Sequence, residues 1–536
     1  MASACAPLAV GTCVFLICAM AIVVYTTSSS LSTALLAVSG LRPYIVSLTT
    51  NGTGNTHVGG PLETSLHTCR EPKLPPNPLP PFYCCPPAST SSSEPINFTL
   101  PDPAEPLRVR RPVHAVGAEY MAKYERAVAL MKALPHTDPR SFYQMANIHC
   151  AYCTGSYRQT GNPELDMQIH FSWFFFPFHR AYWDVPDGMR MPPEFANSSS
   201  PLYDPVRNPR HAPPSLVDLG FVGVESNRTD EQQIQHNLRT MYKQMIGNAH
   251  LPSLFHGQPF RAGQSDKPGP GTVELSPHNT VHTWTGDIAL TNVENMGTYY
   301  SAGRDPLFYP HHSNIDRLWE AWREVGAARG YRGHVDFTDP DWLDSSFLFY
   351  DEESRLVRIT VRDVLSTEKL RYKFDGVGMP WVDARPPTTP NVSKNKALLK
   401  SVRFPLSLHR VVTVEVRRPE VLRSTKEKEA REEVLVIEGI ETDGTEMVKF
   451  DVYVNAMEHE KVEPSGRELA GSYMCLSHPR ADGTGKGMVV ETSMRVALNV
   501  LLEDLDADGD ETVTVTLVPR HGKVKIRRLR IVYMVE

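Results

Sequence analysis

Long runs of lysine and arginine are absent from this 536-residue chain, and the net charge is only −6. A protein that neutralises nucleic-acid phosphates needs a basic patch, so no nucleic-acid partner is expected. No internal repeat is evident. With 41% hydrophobic and 22% charged residues, the composition is typical of a globular protein of two or three domains.

Charged side chains are missing from the first 41 residues, which contain a 19-residue apolar run from Pro7 to Tyr25. That length is near the lower limit for a membrane span. A secretory signal normally opens with a basic region and a plastid transit peptide is normally richer in arginine, so neither fits fully. We expect the secretory pathway, the vacuole or membrane attachment through residues 7–25, with the plastid thylakoid lumen as the close alternative.

Cysteine is scarce, with nine in the whole chain. Three lie together in a proline-rich stretch: Cys69, Cys84 and Cys85. That stretch buries little apolar surface and would gain from disulfides, which suits an oxidising compartment. In HCAYC, Cys150 and Cys153 follow His149 by one and four residues. Each could be half of a disulfide, a metal ligand or a buried small hydrophobe.

Apolar periodicity divides the chain into a helical part and a β-rich part. Helical spacing recurs in four segments: residues 117–135, 138–149, 229–247 and 313–325. After about residue 376, alternating apolar residues predict several strands separated by turns, as in a small β-sandwich or barrel. The charge run from Arg423 to Glu433 is expected to be a solvated turn.

These patterns predict an α+β multidomain protein with five consecutive regions. They are a targeting or anchor segment (1–45), a proline-rich disulfide-stapled segment (46–100), a helical domain (101–376), a linker (377–400) and a β-rich domain (401–536).

Six histidines fall into two groups of three. The first group is His149, His170 and His179, and the second is His278, His282 and His312. Residues four apart lie on one helix face, so His278 and His282 can bind one ion, although this pair alone is a weak signal. His312 opens a helix whose next turn offers Asp316 as hydrogen-bonding support for a ligand. Coordination by imidazole alone suits copper or zinc.

Together these motifs resemble the type-3 copper proteins, specifically plant polyphenol oxidases of the catechol oxidase and tyrosinase kind. The matching stretches are HCAYC, FPFH, HNTVHTWTG, RDPLFYPHHSNIDRLW, DWLDSSFLFYDEE, YKF and KFDVYVN. They run in order from about Cys69 to the C-terminus. The resemblance implies a mainly α catalytic domain built on a four-helix bundle, followed by a β-sandwich-like domain that covers its entrance.

The resemblance also implies oxidation of o-diphenols to o-quinones by dioxygen at two copper ions, with monophenols as a conceivable second class of substrate. Copper A would be bound by the first histidine group and copper B by the second. A cysteine four residues after the first ligand is bonded to the second ligand in the family, here Cys153 to His170. The implied disulfides are Cys69 with Cys85 and Cys84 with Cys150.

Three further residues receive catalytic roles by this similarity. Glu274 would hold an ordered water, and Asn279 would help that water accept a phenol proton. Tyr299 would lie as an aromatic gate over copper B. Ordinary packing is the alternative for each.

One helix of the family pattern is missing. Family members follow the third copper A histidine with a long amphipathic helix, whereas FPFHR here runs directly into AYWDVPDGM. Prolines and a glycine between residues 186 and 193 allow little more than one helical turn after His179. We therefore expect a weak copper A site beside a copper B site that forms. The alternatives are an impaired relative or mis-spliced product and, from another class, a dioxygen carrier.

Overall fold

The structure of the protein is a computed structural model. It describes residues 58–535 except 73, 76–77, 79–82, 87–93, 181–188, 266, 377, 390–401, 463–464 and 479–488. The predicted targeting or anchor segment therefore lies outside the described residues. Within the described part, no helix has the length and apolar character needed to cross a membrane.

Helices dominate the part of the chain before residue 340. Those longer than one turn are α1 (Gly117–Ala133), α2 (Phe142–Cys153), α3 (Phe175–Arg180), α4 (Asp230–Tyr242), α5 (Asn279–Thr285) and α6 (Phe308–Arg329). One-turn helices lie at Pro193–Ala196, Pro252–Phe255 and Pro340–Leu343, and π-helical turns at Lys243–Gly247 and Glu274–His278.

Local sequence explains where several of these helices begin and end. The Ser141 side chain accepts from the Gln144 amide at the start of α2, satisfying a donor that the first helical turn leaves free. Thr229 and Gln232 form the predicted capping box of α4. At the end of α6, Gly330 adopts a left-handed conformation with φ 70°, which costs glycine little.

The helical part has one large hydrophobic core with α6 through its middle. Trp319 and Trp322 of α6 are fully buried, as is Trp342 in the one-turn helix that follows. Burial of such large aromatic side chains dominates the stabilisation of a core. The same helix carries His312 near its start, so its packing also fixes one functional side chain.

Strands dominate after residue 400. They are β8 (Leu406–Ser407), β9 (Val412–Arg417), β10 (Glu432–Thr442), β11 (Val448–Val454), β12 (Leu469–Cys475), β13 (Val490–Ala497), β14 (Thr512–His521), β15 (Lys525–Ile526) and β16 (Arg528–Met534). One sheet has the order β13-β10-β15-β8 with β16 also on β10, and the other has the order β12-β11-β14-β9. All of these pairings are antiparallel.

Both sheets contribute to one buried cluster, which includes Ile437 of β10, Val452 of β11 and Val515 of β14. The prediction of a protein with both helical and β-rich parts is therefore confirmed. The charge run 423–433 is different: its residues Thr425–Ala430 form α7, capped reciprocally by Ser424 and Glu427. The predicted turn is wrong there, because the capping box outweighs the lack of apolar residues. A further helix, α8 (Asn499–Asp504), follows β13.

Short strands tie distant segments of the helical part together. They are β1 (Ile96–Asn97), β2 (Arg108–Arg110), β3 (Arg158–Gln159), β4 (Asn162–Asp166), β5 (Ser346–Tyr350), β6 (Leu356–Thr360) and β7 (Tyr372–Phe374). The parallel pairing of β2 with β7 brings Arg110 and Tyr372 to the same side of α6 as Asp316, to which both side chains are hydrogen-bonded. Two disulfides also cross the N-terminal region: Cys69 with Cys85, and Cys84 with Cys150.

Candidate metal centre

The second histidine group is built on the π-helical turn before α5, on α5 itself and on the start of α6. His278 and His282 are one turn apart, as their spacing predicts. His278 Nδ1 donates to Asn279 Oδ1 at 2.9 Å, and His282 Nδ1 donates to the Met296 carbonyl at 2.8 Å. Each bond fixes the ring and leaves Nε2 as the nitrogen with a lone pair.

The first histidine group comes from α2, from the loop before α3 and from α3. His179 Nδ1 donates to the Phe175 carbonyl at 2.7 Å, so this imidazole too is held through its Nδ1. His170 differs, because neither of its ring nitrogens has a hydrogen-bond partner among the described residues. Its orientation therefore depends on packing, chiefly against Tyr299, whose ring centroid lies 4.3 Å away.

The structure brings all six predicted ligands together. His149, Cys153, His170 and His179 form one buried set whose potential ligand atoms all lie within 4.8 Å of one another. A second set with the same spacing contains His278, His282, His311 and His312. The two sets face each other, since the rings of His179 and His312 are stacked 4.1 Å apart at 20°.

The short α3 does not separate the first set. The sequence predicts that the missing helix would leave His179 loosely oriented, yet its imidazole lies beside those of His149 and His170. The described part of α3 is only six residues long. Contacts between α3 and other segments therefore contribute to the position of His179.

Burial keeps these imidazoles neutral. It lowers the pKa of His179 to about 3 and the pKa of His282 to about 4, although backbone carbonyls partly oppose both shifts. It also takes the pKa of His312 well below its usual value, with further lowering from neighbouring histidines such as His179 and His278. Neutral imidazole is the form that binds a metal ion.

The donor set fits a pair of copper ions. His278 Nε2 and His312 Nδ1 are buried without a hydrogen-bond partner in the described residues, and His282 Nε2 lies 3.3 Å from His312 Nε2. Buried polar atoms are normally paired, so an unpartnered nitrogen such as His278 Nε2, within a set of converging imidazoles, indicates a bound cation. Imidazole donors without carboxylate favour copper or zinc over magnesium or calcium.

Glu274, Asn279 and Tyr299 lie at this centre as well. Glu274 Oε1 accepts from the Phe171 amide at 2.7 Å, and burial raises the pKa of the carboxyl well above its usual value. Asn279 Oδ1 also faces the Tyr299 hydroxyl at 3.4 Å. The Tyr299 ring packs on His170 of the first group, and its place as a gate over the second group stays a prediction.

Among the described residues, Asp316 is not hydrogen-bonded to a histidine, contrary to its predicted role. Its carboxylate accepts from Arg110 at 2.7 Å, from Arg180 at 2.6 Å and from the Tyr372 hydroxyl at 2.6 Å. These partners come from three other segments, so their convergence on α6 is set by the fold and not by spacing along the chain. His311 belongs to the second set but was not predicted from the sequence, although its position next to His312 is a signal that could have identified it.

The β-rich part reaches the same centre through the end of β12 and the residues after it. Asn279 Nδ2 donates to the Met474 carbonyl at 2.9 Å, and Thr298 Oγ1 donates to the Ser477 carbonyl at 3.1 Å. His478 stacks on Tyr299 with ring centroids 4.3 Å apart. No spacing rule in the sequence points to these contacts.

Three family profiles match the chain in order. They are the common central domain of tyrosinase (184–325), the polyphenol oxidase middle domain (336–387) and the chloroplastic polyphenol oxidase C-terminal domain (404–533). The tyrosinase match begins after His179, so it includes the second histidine group and leaves out the first.

Individual relatives cover most of the chain. A chloroplastic polyphenol oxidase of Malus domestica is 45% identical over 492 residues, 84% of this chain and 81% of the relative. One of Vitis vinifera is 43% identical over 484 residues, 83% of this chain and 78% of the relative. The structure of latent apple tyrosinase has 44% identity and a TM-score of 0.76, covering 82% of this chain and all of that one.

These relatives also correct the predicted compartment. The secretory and membrane preference is wrong, because the apple and grape proteins are both chloroplastic. Oxidase relatives also give no support to a dioxygen carrier. Three family profiles match in order, the sequence is 45% identical to a relative over 84% of the chain, and two histidine sets face each other. The chain therefore belongs to the plant polyphenol oxidases, within the type-3 copper proteins.

Proposed function

We propose that this protein oxidises o-diphenols to o-quinones with dioxygen as the electron acceptor. The observation that carries the proposal is the face-to-face arrangement of two buried imidazole sets, with His179 and His312 stacked 4.1 Å apart. A bound copper pair supplies dioxygen binding and accepts two electrons from the phenol, which a single ion cannot do. The protein supplies the ligands, the proton acceptor and the exclusion of water.

Copper A would be held by His149, His170 and His179, and copper B by His278, His282 and His312. The Nδ1 hydrogen bonds of His179, His278 and His282 support this assignment, because each leaves Nε2 available as a ligand atom. Cys153, fully buried within the first set, would be bonded to the His170 ring through a thioether. That bond would supply the orientation that His170 lacks from hydrogen bonds.

Glu274 and Asn279 would handle the proton of the phenol. Glu274 lies four residues before His278 and offers a buried oxygen, Oε2, without a partner among the described residues. A water held between Glu274 and Asn279 could take the phenol proton next to copper B. Monophenols, whose hydroxyl is a weak acid, depend most on such a base, so this pair would set the ratio of monophenol to diphenol activity.

The β-rich part would act as a shield over the centre. We assign it a β-sandwich-like architecture, on the basis of two sheets that share one core, and the helical part a four-helix bundle that lacks one core helix. We propose residues 101–376 as the bounds of the helical domain and residues 401–536 as those of the β-rich domain. Contacts from Met474, Ser477 and His478 would close the centre to phenols until the shield is displaced. The chloroplastic relatives support a plastid location.

Copper analysis and oxygen uptake test the proposal. The purified protein, freed of its shield by proteolysis, should contain two copper ions per chain and consume dioxygen with catechol. His312→Ala should abolish uptake and leave less than two copper ions, whereas His409→Ala, at an exposed position, should change neither. A chain that holds two copper ions but oxidises no catechol would contradict the proposal.

A further inference from the structure

Arg180, the residue after His179, is a buried arginine whose guanidinium is held on every nitrogen. Its Nε donates to Asp316 Oδ1 at 2.6 Å and its Nη2 donates to Glu320 Oε1 at 2.6 Å. Its Nη1 donates to the carbonyls of Val364 and Leu365 at 3.1 and 3.2 Å. The Arg180 side chain has no solvent exposure. A buried cation is tolerated only when it is fully paired in this way.

The Arg180–Asp316 pair joins two helices next to their candidate ligands. Arg180 ends α3 directly after His179, and Asp316 lies one turn after His312 on α6. The guanidinium also stacks on the Trp319 ring, 3.7 Å from its centroid, so both its plane and its position are fixed. A planar guanidinium that binds two carboxylates and stacks on an aromatic ring has little freedom to rotate.

An isolated helix of six residues has no stability of its own in water. Within α3, the contact of Nδ1 with the Phe175 carbonyl helps to orient the His179 ring. The strong fixed contacts lie at Arg180. They tie the described end of α3 to α6.

We infer that Arg180 is a positioning residue for copper A: by binding Asp316 and Glu320 of α6, it holds the end of α3 and so directs the His179 imidazole toward the facing set. The inference rests on the proposed function, since it concerns the ligand shell of the same centre. A purely structural ion pair would stabilise the fold without any special effect on His179.

Arg180→Lys separates these two roles, because lysine keeps the positive charge but lacks the planar guanidinium that binds two carboxylates at once. The matched control is Arg418→Lys in the β-rich part, where Arg418 binds Glu433 through two nitrogens with both side chains about 1% exposed. For each full-length holoprotein we would measure the melting temperature, copper per chain and the paramagnetic resonance of Cu²⁺. Coupled Cu²⁺ pairs give no resonance signal, whereas a single Cu²⁺ gives one.

Both variants should melt at lower temperature, but only Arg180→Lys should bind its second copper about tenfold more weakly and show an uncoupled Cu²⁺ signal. Glu320→Gln, which removes one of the two carboxylates, should give a smaller change in the same direction and is informative even if Arg180→Lys folds poorly. Two coupled copper ions at unchanged affinity in both Arg180→Lys and Glu320→Gln would overturn the inference.

A measurement on the metal-free protein tests the role of Arg180 independently of the proposed oxidase function. In the metal-free protein, modification of histidines by diethyl pyrocarbonate can be mapped residue by residue by mass spectrometry. His179 should react at least several times faster in Arg180→Lys than in the unaltered chain, while His282, held by Met296 from another segment, should react at an unchanged rate. Equal rates at His179 would overturn the inference whether or not the protein is an oxidase.

Discussion

The side-chain amide of Asn279 donates to the backbone carbonyl of Met474 at 2.9 Å. The residue next to His278 is therefore hydrogen-bonded to the β-rich part, and this bond takes up one of the two N–H donors of its side-chain amide. The Tyr299 ring contacts both His170 and His478, with ring centroids 4.3 Å apart in each case. In this arrangement the β-rich part both covers the histidines and occupies a group proposed for proton transfer.

Removing the β-rich part after cleavage within residues 390–401 should raise the rate of catechol oxidation. The cut would free the Asn279 amide and expose the Tyr299 ring. Oxygen uptake before and after cleavage measures the effect. Thr298→Val, which removes only the bond to the Ser477 carbonyl, should weaken the shield by about 1 kcal/mol and lower the protease or detergent dose needed for activation.

A matched variant tests whether a general loss of stability would lower the activation dose in the same way. Thr413→Val removes a hydroxyl bond to Thr516 inside the β-rich part and touches no residue of the helical part in any described bond. It should leave the activation dose unchanged. Activity that is undiminished with the shield in place, or lost with its removal, would contradict the shielding role.

Cys153 should form a covalent bond with His170 when the protein is loaded with copper in air. The thiol hydrogen and one ring hydrogen would be lost as the sulfur–carbon bond forms, and two electrons would pass to dioxygen through copper. Mass spectrometry should find the two peptides joined and lighter by two hydrogen atoms. Cys153→Ser should abolish the link and weaken copper A about tenfold or more, because His170 has no described hydrogen bond to orient it.

Cys475, the other buried free thiol in the part of the chain that the structure describes, serves as the control for that experiment. Its sulfur donates to the Leu476 carbonyl, and Cys475 is outside both metal-binding sets. Cys475→Ser should retain the link between Cys153 and His170. Recovery of unmodified Cys153 after full copper loading in air would contradict the prediction.

The two disulfides should differ in their effect on stability. Cys84 and Cys150 are 66 residues apart and Cys69 and Cys85 are 16 apart. A longer closed loop restricts the unfolded chain more, so loss of the longer link should cost about 4 kcal/mol and loss of the shorter about 3 kcal/mol. Urea unfolding of the two double alanine variants measures the difference. A larger loss of unfolding free energy for the shorter loop would show that loop entropy does not control the stabilisation by these disulfides.

Local pattern predicted the elements of this fold well where the signal is contained in neighbouring residues. The capping box of Thr229 and Gln232, the helical spacing of His278 and His282, and period-two alternation after residue 400 all correspond to observed elements. Each depends on residues two to four positions apart, whose relation is set by backbone geometry.

Sequence could not predict pairings that depend on the path of the chain. Arg180 and Asp316 are 136 residues apart, and nothing near either residue identifies the other as its partner. The predicted support of His312 by Asp316 was wrong because this carboxylate has three stronger partners from other segments. The convergence of the first histidine set likewise depends on contacts between distant segments, and the predicted weakness of copper A stays a prediction.

The contact between the helical and β-rich parts contains two buried lysines in reciprocal positions. Lys243, after α4, donates to the carbonyls of Gly466 and Leu469, and Lys449 of β11 donates to those of Gly220 and Phe221. Burial, with repulsion from Arg467, lowers the pKa of Lys243 to about 7. Burial also lowers the pKa of Lys449.

Lys243 should therefore make the protein more stable as pH rises above about 7. Between that value and the unfolded pKa of about 10.4, the unfolded chain keeps a proton that the folded chain has lost, so the free energy of unfolding increases with pH. Below about pH 7 both states are protonated and the slope vanishes. Lys243→Met should remove a slope of up to about 1.4 kcal/mol per pH unit.

Urea unfolding between about pH 8 and about pH 9.5 measures that slope, with Lys461→Met as the control. Lys461 is exposed, and within the described ranges its side chain forms a surface ion pair with Glu458, so we expect this variant to keep the slope of the unaltered chain. A Lys243→Met protein with the slope of the unaltered chain would show that Lys243 stays protonated on folding. In that case the two carbonyls of the β-rich part would stabilise the ammonium more than burial destabilises it.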